Sequence, residues 1–212
     1  MIEFDPIHTH ASQPYKMSFT TGGLFLNESI TVAALHMTDK NWSKTLSRAL
    51  EIGITSLPKA ASNRRTVREI VNRLSTLNKE EIQFLTEEAE RQEQQYLLWL
   101  ATCRRYRFVR EFAIEVISDR YLSYQLDLPL QTFDILFDAK AEWDGSLASL
   151  SKSTRLKLRQ IMFRIMREAG IISDGGRIQS AIISPRLKNL IQEKNPNELA
   201  IFPSILVEET SV

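Results

Sequence analysis

The sequence is poor in the residues that interrupt helices and in the one that crosslinks chains. Its 212 residues include seven glycines, seven prolines and one cysteine. So few breakers favour long helices over many short strands. A lone Cys103 rules out an internal disulfide and a cysteine-based zinc site. Long apolar runs are missing as well. The richest, Tyr96 to Ala101, is closed by Arg104 and Arg105, far short of the ~18–20 residues that a membrane-spanning helix needs. The opening from Met1 to Pro6 has no basic-then-apolar leader pattern. Together these absences predict a reducing, cytoplasmic setting and no membrane contact.

What is present is a globular composition, 43% hydrophobic and 25% charged, with its charge sorted along the chain. The net charge of +1 hides two basic blocks: residues 42–75 carry seven basic and two acidic groups, and residues 151–190 carry nine and two. Residues 76–150, between them, carry eight basic and fourteen acidic groups. Segregation of this kind points to an anionic partner.

Periodicity then gives the organisation. Residues 1–17 read as a flexible arm holding His8 and His10. A helical domain spans 18–125. Within it, Asp39 is a candidate cap for a helix through Trp42, Leu46, Ala49 and Leu50 that ends at Gly53. Ser62 is a candidate cap for the next helix, with Val67, Ile70, Val71 and Leu74 inward. The pair is helix-turn-helix-like, with a connection longer than the usual three or four residues, which a short extra helix from Pro58 would repair. Leu128-Pro129 marks a boundary. Residues 126–190 then order as a helix over 131–143, a basic helix over 153–169, and two β-prone runs around Asp174-Gly175-Gly176. That is the order of a winged helix-turn-helix carrying one short β-hairpin across Ile171–Ile183, followed by a tail over 191–212. The expected fold is thus mainly α and multi-helical.

The basic helix separates its chemistry by face. Leu158, Ile161, Met162, Ile165, Met166 and Ala169 form one stripe, while Lys157, Arg159, Arg164 and Arg167 lie opposite and Lys152 extends their arc. Arg155 borders the apolar stripe, and Ser153-Thr154-Arg155 supplies donors in the first turn, where recognition helices meet a groove. Arg177 sits where a wing would touch the backbone. The candidate DNA-binding residues are therefore Lys152, Arg155, Lys157, Arg159, Arg164 and Arg177. Arg64, Arg65 and Arg68 form a second surface beside Asn72, since Arg and Asn read guanine and adenine edges. A third cluster, Arg104-Arg105-Tyr106-Arg107, interleaves aromatics with cations, although Glu111 and Glu115 nearby also fit plain intrahelical pairing.

Catalytic patterns are absent. The chain has no H-E-x-x-H, phosphate-binding glycine loop or G-x-S-x-G. Asp134 and Asp138 share a face, but Glu142 continues it as an ordinary solvated row. His36 reads as a packing or capping residue, and Cys103 as a buried thiol. No catalytic residue, metal, cofactor or small-molecule substrate is expected.

Two stretches carry a resemblance. Thr20-Thr21-Gly22-Gly23-Leu24-Phe25-Leu26-Asn27-Glu28-Ser29 is similar to the opening of the BrxA family of bacteriophage-exclusion (BREX) systems. So is the block from Phe133 to Trp143, joined to Leu150–Arg155 and to Arg159–Gly170. The resemblance covers most of residues 18–184 and rests chiefly on F-x-x-K-A-E-W followed by a basic helix ending R-E-A-G. It implies a small helical protein of a multi-gene phage-defence locus, similar to double-stranded DNA binders and acting with other defence proteins. An older label for the family implies a NusB-like RNA-binding antitermination factor instead, and another implies an inner-membrane protein, against which the missing span argues. A protein-protein adaptor is the third reading.

Overall fold

Helix starts follow the local capping chemistry of the chain. The computed structural model describes residues 14–19, 22–55, 57 and 59–205. Among these, α1 is Leu26–Asp39 and α2 is Trp42–Glu51. Asn41 is extended and its side chain accepts from the Lys44 amide, so it caps α2 in the role expected of Asp39. Asp39 is still inside α1, where Lys44 and Arg48 approach it at 3.5 and 3.3 Å. Gly53, at φ +64°, ends α2 as its sequence predicts. Helix α3 is Ala60–Leu74 and begins two residues before Ser62, with Lys59 at the cap and no side-chain capping bond. Pro58 lies outside the described residues, and the long connection is shortened by an earlier helix start.

The acidic middle is mostly helical. Helix α4 (Lys79–Gln83) runs into a π-turn, Phe84–Glu88, and is followed by α5 (Arg91–Arg105), α6 (Arg107–Phe112), a second π-turn, Ala113–Ser118, and α7 (Asp119–Leu122). Residues Tyr96 to Cys103 of α5 are all buried, which makes α5 the central rod of the molecule. Then come α8 (Gln131–Ala141), the single turn α9 (Gly145–Ala148), α10 (Lys152–Glu168), α11 (Pro185–Lys194) and a 3-10 turn, Pro196–Ile201. Ser151 caps α10 by accepting from the Thr154 amide.

The expected hairpin is not present as strands. Ile172 pairs with Ile178 and Asp127 with Arg177 in isolated antiparallel bridges. The reason is competition for partners. The Ser173 amide bonds to the Arg177 carbonyl at 2.8 Å and the Gln179 amide to Ile171 O at 2.9 Å, but the Ile171 amide, which the next rung needs, turns back to Met166 O at 2.9 Å. Beyond Gln179 the chain is drawn off, with the Ala181 amide on Pro203 O at 3.0 Å. No ladder therefore grows past one residue.

Both chain ends are held where they are described. Tyr15, placed in the arm by sequence, donates its amide to Asp144 and its hydroxyl to Glu111, and Phe19 is fully buried. Beyond residue 191 the expected tail packs instead. Leu199, Ile201 and Phe202 are buried, and the Trp99 indole donates to Ile201 O at 3.2 Å. His8 and His10 lie outside the described residues. The buried apolar side chains form one contiguous cluster, and no helix among the described residues is long and apolar enough to cross a membrane.

Candidate nucleic-acid interface

On α3 the apolar stripe is complete: Val67, Ile70, Val71 and Leu74 are buried. The opposite face carries Arg64, Arg65, Arg68 and Asn72, all exposed. None of the three arginines has an ion-pair partner among the described residues. Arg73, on the same helix, has the reverse fate. It is 3% exposed, bonds to Glu69 at 2.7 Å and to Gly23 O at 2.8 Å, and its partner Glu69 accepts from the Tyr106 hydroxyl at 2.7 Å. Residues of one type on one helix thus divide between interior and surface. Ahead of α3, the Thr55 hydroxyl donates to Asn63 at 2.7 Å.

Helix α10 buries Leu158, Ile161, Met162, Ile165, Met166 and, just past its end, Ala169, as its periodicity predicts. Its cations are less free than the sequence suggests. Arg155 lies over the Phe137 ring, 4.6 Å from the centroid, and bonds to Asp134 at 2.9 Å and to Asp138 at 2.8 Å. Arg159 also pairs with Asp134. The hydrogen bond from Arg155 holds the Asp138 carboxyl below its ordinary pKa, and the same contact raises that of Arg155. Arg164 pairs with Glu168 at 2.7 Å, and Arg177 reaches within 3.8 Å of Asp127, both exposed. Lys152 and Lys157 remain exposed. The structure therefore groups the candidates into an uncompensated α3 set and an α10 set half neutralised by α8. Sequence reasoning read Asp134 and Asp138 as solvated and missed the clamp. The available signal was register: carboxylates four apart on one helix facing arginines four apart on the next.

The two stretches that carried the family resemblance meet in space. The Glu168 carboxylate accepts from the Leu24 amide at 2.5 Å, and its main-chain oxygen accepts from Gln95 at 2.7 Å. A Cβ on Gly23 would fall 2.3 Å from a Glu168 oxygen, so glycine permits this closure. Residues 13–195 match the BrxA family. The chain belongs to the BrxA family. A BREX protein BrxA of Escherichia coli O9:H4 (strain HS) is 25% identical over 180 residues, covering 84% of this chain and 84% of that protein. Another BREX protein BrxA, from Paramagnetospirillum magneticum (strain ATCC 700264 / AMB-1), is 25% identical over 191 residues, or 87% and 94%. The crystal structure of an uncharacterized protein from Magnetospirillum magneticum superposes with a TM-score of 0.74 at 22% identity, covering 90% of this chain and 98% of that one. That protein shares the mainly helical fold of this chain.

In this member of the BrxA family the cysteine and the described histidine are both packed into the fold. Cys103 is buried, and burial pushes its thiol well above the ordinary range. His36 stacks on Trp42 with ring centroids 3.5 Å apart, and burial lowers its pKa. No group of three metal-ligating side chains occurs among the described residues.

Proposed function

We propose that this protein is a non-catalytic, duplex-DNA-binding component of a BREX phage-defence system, acting in the cytoplasm with other proteins of that system. Family membership supports the defence role, and the names of its relatives supply the BREX setting. The observation that carries DNA binding is the outward face of α3, where Arg64, Arg65 and Arg68 stand exposed without a carboxylate partner among the described residues. Cations left unneutralised inside the fold keep their full attraction for phosphates.

We read α2 and α3 as the helix-turn-helix-like part of an N-terminal domain over 18–125. Residues 126–190 are read as a winged helix-turn-helix, with α8 as supporting helix, α10 as recognition helix and the bridged turn at 174–176 as its wing. Lys152 and Lys157 lead the contacts there, while Arg155, Arg159, Arg164 and Arg177 join as their carboxylates yield.

A salt titration of duplex binding tests this reading. Each phosphate contact contributes about 0.9 to the slope of log affinity against log salt. Changing Arg64, Arg65 and Arg68 together to Gln is expected to flatten the slope by roughly two to three units with helicity unchanged. Lys152→Gln with Lys157→Gln is expected to remove about two. Wild type that fails to retain duplex at low salt would overturn the DNA reading. The adaptor reading would then lead, because Tyr124 and Trp143 are 90% and 88% exposed and large aromatics of this kind anchor protein interfaces.

A further inference from the structure

The third basic cluster, which neither DNA surface uses, opens into a cleft of about 300 Å³ lined by Pro14, Lys16, Thr76, Arg104, Arg105 and Arg107. Its carboxylates are already engaged. Glu81 and Glu198 clamp Arg104 from two sides at 2.7 and 2.8 Å. Glu111 takes Arg107 at 3.3 Å and Lys140 at 3.1 Å, and Arg107 also lies flat over the Tyr15 ring, 3.6 Å from its centroid.

Three cations have no such partner among the described residues. Lys16 is exposed at the mouth. Lys194, from α11, donates to the carbonyl of the lining residue Thr76 at 3.1 Å and has no carboxylate partner among the described residues. Arg105 is the telling one: it is half-buried, and its Nε is sealed from solvent with no acceptor. With that Nε closed off, an anion in the cleft meets Arg105 through its terminal nitrogens, which have no acceptor among the described residues. Arg104 and Arg107, held by their own ion pairs, line the same cleft.

We propose that this cleft binds a free polyphosphate anion, either inorganic or the phosphate tail of a nucleotide. The ligand must carry several charges, because Lys16, Arg105 and Lys194 approach from different elements. It must be compact, because the cleft is small and recessed. Guanidinium groups suit phosphate oxygens by geometry as well as charge. The site is separate from the exposed faces of α3 and α10.

The test is a melting and calorimetric titration of the full chain with sodium tripolyphosphate, ATP and orthophosphate at low salt. Tripolyphosphate at about a hundred times its Kd is expected to raise Tm by roughly 5 °C or more, with orthophosphate much weaker. Lys16→Gln and Arg105→Gln are each expected to weaken binding by about tenfold, while Lys44→Gln, at an exposed lysine of α2 outside both DNA surfaces, leaves it unchanged. Lys16 is exposed, so its variant stays interpretable if Arg105→Gln folds poorly. No Tm shift with tripolyphosphate, or equal shifts in wild type and both variants, would overturn the site. Displacement of bound tripolyphosphate by a short duplex from the Arg64, Arg65 and Arg68 triple variant would overturn the free-anion assignment and give the cleft to a nucleic-acid backbone. Loss of duplex binding in that triple variant with tripolyphosphate binding intact separates this site from the DNA reading.

Discussion

Arginine in this chain has two opposite roles, and its neighbours decide which. Arg73 is held inside by Glu69, and Tyr106 shares the same carboxylate at 2.7 Å. Burial, followed by the charge of Glu69, pushes the Tyr106 phenol up to about 12. Removing Glu69 strands a buried guanidinium, so Glu69→Ala is expected to cost about 3–5 kcal/mol, read from the urea midpoint at constant m-value. An effect below ~1 kcal/mol would mean that water reaches Arg73. The sign with pH follows from the raised phenol. Its contribution is complete below the ordinary value of 10.0 and fades as pH climbs towards about 12. Stability should fall across that alkaline window in wild type, and Tyr106→Phe should flatten the fall.

At the scale of the helix, periodicity was the readable signal and long-range partnership was not. The inward sets of α3 and α10 follow from spacing alone, because burying a stripe requires apolar side chains at i, i+3, i+4 and i+7. Ser151 is legible as a cap for the same local reason. Asn41 displaces Asp39 because the cap must be extended, and Asp39 is still helical. The two π-turns leave no mark in composition. The clamp of Asp134 and Asp138 on Arg155 and Arg159 joins residues some twenty positions apart, and it redraws the candidate DNA surface. That clamp is testable as an internal competitor for phosphate. Asp134→Asn with Asp138→Asn is expected to free both arginines, tighten duplex binding and steepen the salt slope by up to about two units. Its cost in stability should be small, roughly 1 kcal/mol or less per pair, because these pairs are partly solvated. An unchanged slope in the folded variant would make the clamp purely structural. The β-prone runs beside Asp174-Gly175-Gly176 show the same limit: their turn was readable, but the rival acceptors Met166 O and Pro203 O were not.

For the whole molecule, charge segregation was legible and the closing of the core was not. The basic blocks mark α3 and α10 in the sequence. Nothing in the sequence tells that the region beyond 191 completes the packing around α5, through Leu199, Ile201, Phe202 and the bond from Trp99 to Ile201. A chain ending at Lys194 loses these side chains and leaves Arg104 with Glu81 but without Glu198. It is expected to be less stable by on the order of 5 kcal/mol. A thermal midpoint within a few degrees of the full chain would show that α5 does not depend on this cover. Synthesis runs in the opposite order to this closure. The rod of α5 emerges from the ribosome long before residues 196–202 exist, so a nascent chain must carry Trp99 and its neighbours uncovered for the time taken to add about a hundred residues, roughly five to twenty seconds at ordinary elongation rates. The interval in which the protein is most exposed to chaperones and proteases is therefore set by where its last turn lies in the gene.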